Sequence, residues 1–344
     1  MMKDLKYLAA YINPALAVVG LWLGGLYAWA TVIFSFMIIP VLDQISPANP
    51  SNHDEETKQE LLNKRIFDWL LYLNIPVVYG IIGYFIYKIN HVSMPTEVLI
   101  GHILSVGIVI GSCGINVAHE LGHRKEKFHQ RMSQMLLLPA LYMHFFIEHN
   151  RGHHRFVATK DDPATARKGD WLFVFWFRSL FGTYFKAWKL EAERLNKKDM
   201  NAASFDNQMV NFTLVQITYL AAVYALAGTT GLIIIMLCGL VGVLLLETIN
   251  YTEHYGLLRK RRENGRYERV RPHHSWNANY TFGRIALYEL TRHSDHHFIA
   301  SKKFQVLDHH DDAPLLPFGY PAMILIAFVP PLWFHLMDKR IPQS

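Results

Sequence analysis

The sequence predicts an all-α, polytopic membrane protein with six transmembrane helices, and three observations carry that prediction. Lys and Arg are absent between Tyr7 and Thr57, between Ile66 and Tyr87, between Ile89 and Gly122, and between Asp199 and Leu258. Gaps of this size accommodate spanning helices of roughly 20 residues each. With six spans, 33 of the 34 Lys and Arg fall on one side of the membrane and only Lys88 on the other. That asymmetry follows the positive-inside rule, so both termini and all large polar segments are expected in the cytoplasm. The third observation is the histidines: nine of the 19 fall in four short stretches that this topology brings to the same cytoplasmic side.

The first two spans, 8–23 and 27–42, read as a hairpin bent at Gly24 and Gly25. The third covers 66–87 and the fourth 98–118. The fifth and sixth, 209–227 and 232–248, turn at the short "GTTG". Two more apolar stretches, 135–147 and 320–337, are respectively too short to span and interrupted by Pro330 and Pro331, which predicts re-entrant or interfacial helices. The N-terminal apolar region exceeds the length of a signal-peptide core, which predicts a retained anchor. The chain 1–344 thus reads as a single membrane-embedded domain with polar segments 118–208 and 249–344 on the cytoplasmic side.

Composition excludes several classes. The net charge of +6 comes from residues that flank apolar segments without interleaved aromatic platforms, so topology explains it and nucleic acid does not. Cys113 and Cys238 lie in apolar runs and form no C-x-x-C pair. They provide no zinc knuckle, iron–sulfur site or rubredoxin-type site, so any redox partner is expected on a separate polypeptide.

The histidine clusters carry the chemistry. "HELGH" supplies His119 and His123, "EHNRGHH" supplies His149, His153 and His154, and "LTRHSDHH" supplies His293, His296 and His297. On an α-helix, residues four apart share a face, so His119/His123, His149/His153 and His293/His297 are each expected to present two imidazoles to one point. The doubled histidine adds a nitrogen about 100° away, which suits a second metal. His254, in "NYTEHYGL", is left open by spacing alone. The nine imidazoles are too many for one ion. A zinc protease, the usual meaning of H-E-x-x-H, would leave seven of them unused. His129, His144, His273, His274, His309 and His310 lie near the clusters without a repeated spacing, and direct ligation is not expected of them. Glu120, Glu148, Glu253 and Asp295 accompany the clusters and are expected behind the ligands, holding the outer ring nitrogens.

These stretches, with "DDPATAR" and "PHHSWNANY", resemble the integral-membrane alkane 1-monooxygenases, the histidine-rich non-haem diiron hydroxylases. The three histidine boxes are shared with membrane desaturases and xylene-type monooxygenases, whereas "NYTEHYGL" is characteristic of the alkane hydroxylases and makes His254 a ligand by resemblance. The resemblance implies two irons held by the nine histidines at the cytoplasmic end of a six-helix bundle in the bacterial inner membrane. It also implies a substrate channel between the helices. The implied reaction converts the terminal carbon of a linear alkane to a primary alcohol, using O2 and electrons passed from NADH through rubredoxin reductase and rubredoxin. No fused rubredoxin domain is expected.

Trp22, Trp29 and Phe36 are candidate channel residues, and Arg261 and Arg262 in "RKRREN" are candidates for docking acidic rubredoxin. Other readings are a membrane diiron fatty-acyl desaturase or hydroxylase, an alkyl-aromatic monooxygenase, an intramembrane zinc protease, and a metal transporter. The last would need polar ligands along the spans, whereas these lie at their ends.

Overall fold

The computed structural model describes residues 4–342. Among them the regular structure is helical, with only isolated β-bridges at Arg261/Tyr267 and Asn277/Leu315. Five helices are long and apolar enough to cross a membrane: α1 (Asp4–Leu23), α2 (Gly25–Ile45), α4 (Ile66–His91), α5 (Thr96–Gly122) and α9 (Gln208–His254). A polar helix, α3 (Glu55–Asn63), links the first pair to α4, and Asp54 caps its N-terminus by accepting from the Thr57 N–H at 2.7 Å.

The 47-residue α9 breaks at Gly228, whose φ of 61° and ψ of −168° are accessible only without a side chain. Its halves fold back on each other. Asn90 at the far end of α4 donates to Leu226 O at 2.7 Å, while Met143 N bonds Gln216 Oε1 and Tyr142 bonds Glu247, one residue from each half. The second half lies against α5 along a seam of small residues, where a Cβ on Gly242 would meet Gly111 N at 3.1 Å and one on Gly107 would meet Val241 at 2.5 Å. Small residues let backbones approach closely where lipid removes the hydrophobic drive to pack.

The apolar helices run further than the sequence reading placed them. Backbone hydrogen bonding carries α5 to Gly122 and α9 to His254, so His119 and His254 sit on the last turns of apolar helices rather than beyond them. The stretch 135–147 is no single helix: α6 (Lys127–Leu137) passes through a short 3₁₀ turn, Leu138–Ala140, and a left-handed Leu141 at φ 53°. It leads into α7 (Phe145–Glu148), which continues through a π-helical turn, His149–His153, into His154–Phe156. Helix α8 (Leu172–Asn196), which the sequence reading did not separate from its polar segment, crosses the histidine-bearing end of the bundle. Short helices α10 (Thr281–Ala286) and α11 (His293–Phe298) close that end. The stretch 320–337 divides into α12 (Tyr320–Ala327) and α13 (Pro330–Met337), with Tyr320, Met323, Trp333 and Met337 buried.

Candidate metal centre

Four elements converge on one buried chamber: the end of α5, the π-turn after α7, the end of α9, and α11. Their side chains form two groups. His119, His123, His149, His154 and His296 make one, and His153, His254, His293 and His297 the other; within each group the candidate donor atoms lie within 4.8 Å of one another. The doubled histidines divide between them, His153 and His154 to opposite groups and His296 and His297 likewise. His119/His123 and His293/His297 each serve one group, as four-residue spacing on an α-helix dictates. His149/His153 do not. The π-turn between them widens the period, and His149 instead joins His154, five residues on, with Nε2 atoms 3.0 Å apart.

The donor set fits metal ions. The Nε2 atoms of His123/His149, His154/His296, His153/His297 and His254/His293 face one another at 3.1–3.2 Å. Two imidazoles on one ion at ~2.1 Å and right angles stand ~3.0 Å apart. His119 Nε2 is buried without a hydrogen-bond partner. Burial, reinforced by neighbouring imidazoles, holds His149, His154, His293, His296 and His297 well below the usual histidine range, and His123 down to about 3. These rings are therefore neutral, with lone pairs free to ligate.

Around the rings, the carboxylates are arranged differently from the sequence expectation. Glu120 pairs with Arg124, which also holds Asp68, and Asp295 is taken by His310 and Lys302, both at 2.7 Å. Glu148 faces Lys186 at 3.2 Å; burial pushes its carboxyl up to about 7 while that lysine pulls the other way. Of these four carboxylates only Glu253 touches a cluster histidine, and it does so from the inside, with Oε2 3.1 Å from His293 Nε2 while Oε1 accepts from Tyr320 at 2.7 Å. The carboxylate that does orient an outer nitrogen is Asp162 of "DDPATAR", 2.9 Å from His153 Nδ1 and receiving the Thr165 hydroxyl at 2.6 Å. His153, Lys186 and Thr165 hold Asp162 far below the usual carboxylate range despite burial, which acts against them. Its position nine residues beyond His153 follows no period, and only the resemblance of the surrounding segment could have singled it out.

The six remaining histidines near the clusters stay outside both groups. His129 bonds Tyr72 and Glu126, His274 bonds Glu268, His309 approaches Asp311, His310 bonds Asp295, His144 packs on Tyr142, and His273 lies beside Asp312. Arg261 and Arg262 lie on an exposed hairpin, Arg261 stacked over Tyr267. Arg259 pins that hairpin to Ala158 O and Arg155 O, directly after His154.

An apolar cavity reaches from His119, His149 and His293 past Gly111 and Ser112 to Ile108 and Phe36. Phe36, Ile108, Leu245 and Ile324 also line a second cavity. Of the candidate channel residues, Phe36 lines both cavities, Trp22 is 70% exposed on the outer surface, and Trp29 packs on Gly101.

A helical membrane bundle that ends in a chamber of buried neutral imidazoles, with an apolar cavity leading to it, defines a histidine-rich membrane metalloenzyme. Comparison with known proteins agrees. Residues 97–327 match the fatty acid desaturase family. The chain is 36% identical to alkane 1-monooxygenase 1 of Alcanivorax borkumensis, covering 98% of this chain and 84% of that one, and 35% identical to the alkane 1-monooxygenase of Ectopseudomonas oleovorans, covering 98% and 86%. The hydroxylase component of the xylene/toluene monooxygenase of Pseudomonas putida is 26% identical over 98% of this chain and 89% of its own. The chain belongs to the alkane 1-monooxygenase family.

Proposed function

We propose that the chain hydroxylates the terminal carbon of linear alkanes: RH + O2 + 2 e⁻ + 2 H⁺ → ROH + H2O. The observation that carries this reading is the cavity, which joins the histidine chamber to the apolar interior of the bundle and exposes an almost wholly apolar surface. A substrate without polar groups needs only such a slot, which excludes water and aims the chain end at the chamber.

Nine histidines are assigned as ligands to two irons, five to one and four to the other. Bound there, iron supplies the one-electron chemistry that activates dioxygen, which no side chain provides against an unpolarised C–H bond. The remaining residues hold and position. Asp162 fixes the His153 tautomer, and the Tyr320 hydroxyl holds a proton against Glu253 Oε1 at the edge of the cavity. The inner face of Glu253 makes it a candidate iron ligand rather than an outer partner of a ring.

Electrons are assigned to a separate rubredoxin fed by rubredoxin reductase and NADH, with Arg261 and Arg262 at the docking surface; the anchoring of their hairpin beside His154 supports that placement. Both termini and the chamber are assigned to the cytoplasmic face of a bacterial inner membrane on the charge asymmetry.

The test is metal analysis of detergent-purified protein coupled to turnover of octane, hexadecane and p-xylene with NADH, rubredoxin reductase and rubredoxin. About two irons per chain with 1-alkanol formed is the expected result. One zinc and no alkanol overturns the reading, and preferential oxidation of the xylene methyl moves it to the alkyl-aromatic branch.

A further inference from the structure

Helix α8 carries an apolar face that no other described residue covers. Its buried edge is Leu172, Phe175, Ser179, Thr183, Ala187 and Glu191. On the opposite side Phe177, Phe181 and Phe185 are exposed by 67%, 58% and 65%, with Val174 at 61% beside them. At 3.6 residues per turn, this ridge has two unlike flanks. One is Trp176, Leu180, Tyr184 and Trp188, partly packed on the core; the other is Arg178, Lys186 and Lys189. Half the helix surface is thus apolar and one border of it is basic.

The ends of α8 fix its attitude. Trp176 Nε1 donates to Thr248 Oγ1 at 3.2 Å, near the histidine end of the second half of α9, and Glu191 Oε2 accepts from Gln208 N at 2.9 Å, where the first half begins. Because α9 folds back at Gly228, both anchors lie at the same end of the bundle. The helix therefore lies across that end, not along the apolar rods. Its apolar face is also continuous with theirs: the rings of Phe173 and Trp176 stand 6.2 and 5.6 Å from that of Phe328, and Trp176 lines the second cavity together with Val32, Leu104 and Leu244 of the apolar helices.

We propose that α8 is an interfacial helix seated in the lipid leaflet on the histidine-bearing side, with Phe177, Phe181 and Phe185 among the acyl chains and the exposed Lys189 at the headgroups, Arg178 and Lys186 on the same border being paired inward with Asp170 and Glu148. Three neighbouring phenylalanines more than half exposed form the kind of patch that water-facing surfaces avoid. An apolar face that continues the apolar surface of the spanning helices and lies across the end of the bundle is the pattern that holds a helix in the plane of a bilayer, with Lys189 left to meet the headgroups. The same helix holds Lys186 against Glu148, beside His149. Lipid contact and the histidine chamber thus share one rigid element.

The test uses the full chain in lipid nanodiscs, with nitroxide labels at Phe181→Cys and Phe177→Cys and a reference label at the exposed Lys197→Cys; Cys113 and Cys238 are buried. Collision with molecular oxygen should exceed collision with a water-soluble nickel chelate severalfold at both phenylalanine positions, and the order should reverse at 197. Nickel reaching 177 and 181 as freely as 197 places the ridge in water and overturns the proposal. Exclusion of both reagents, with a dimer by native mass, assigns the ridge to a second copy and overturns it equally. None of these outcomes depends on the substrate, so they are separate from the test of alkane hydroxylation.

Discussion

His149 and His154 stand five residues apart, yet their Nε2 atoms approach to 3.0 Å, because the turn between them is π-helical rather than α-helical. In that turn, Glu148 and Gly152 are pressed together: a Cβ on Gly152 would lie 2.4 Å from Glu148 Oε1 and 3.2 Å from Leu190. Gly152→Ala must therefore displace the Glu148 carboxylate or open the turn. Overpacking of this kind costs about 1–3 kcal/mol. The expected outcome is a lower melting temperature together with reduced metal content, since three cluster histidines ride on this turn. An unchanged metal content would show that the turn tolerates the methyl group.

Asp162 should behave as the orienting partner of one ring. Asp162→Asn keeps the volume but removes the charge facing His153 Nδ1, and loss of such partners typically weakens metal binding about 10–100-fold. Iron retention against a graded chelator measures this. Asp295→Asn, whose side chain faces His310 and Lys302, should leave retention closer to that of the unmodified protein.

The contrast between these two aspartates marks how far the sequence could be read. His119/His123 and His293/His297 were legible because they lie on α-helices, where four-residue spacing has a fixed meaning. His149/His153 carries the same spacing on a turn of different period, which nothing in "EHNRGHH" announces. Asp295 stands inside a cluster and was read as a partner of ligands, but its neighbours in space come from Lys302 to His310; Asp162 stands outside every cluster and reaches one through a loop. The apolar rods were legible from their missing charges. Helix α8 was not, because Arg178, Lys186 and Lys189 interrupt its apolar residues along the chain although they occupy one border of it in space.

Removing the metal should make stability strongly pH-dependent. Burial holds His149, His154, His293, His296 and His297 below their unfolded value, so the unfolded chain binds protons that the folded chain refuses. Stability is thus fully present above the unfolded histidine pKa of about 6.5 and is lost as pH falls below it. Each such ring contributes a slope of up to about 1.4 kcal/mol per pH unit. The chelator-treated protein should melt several degrees lower at pH 5.5 than at pH 7.5, and the metal-loaded protein should change less until acid strips the metal. A flat profile for the metal-free protein would mean that the chamber admits water and charges freely.

Chain-length preference should respond to Phe36. Its ring contributes to the walls of both cavities, and among the four residues they share it has the largest side chain. Ile108, Leu245 and Ile324 are the other three, and they lie on the long rods and α12, where truncation would loosen the packing as well as the cavity. Phe36 sits in a π-helical stretch of α2 and is itself partly exposed, so Phe36→Ala removes bulk with less disturbance of the core. If the ring limits how far an alkane extends from His119 toward the second cavity, the hexadecane-to-octane turnover ratio rises severalfold while octane turnover changes little. A fall in both rates by the same factor would point instead to general damage, and an unchanged ratio would place the limit elsewhere along the cavity wall.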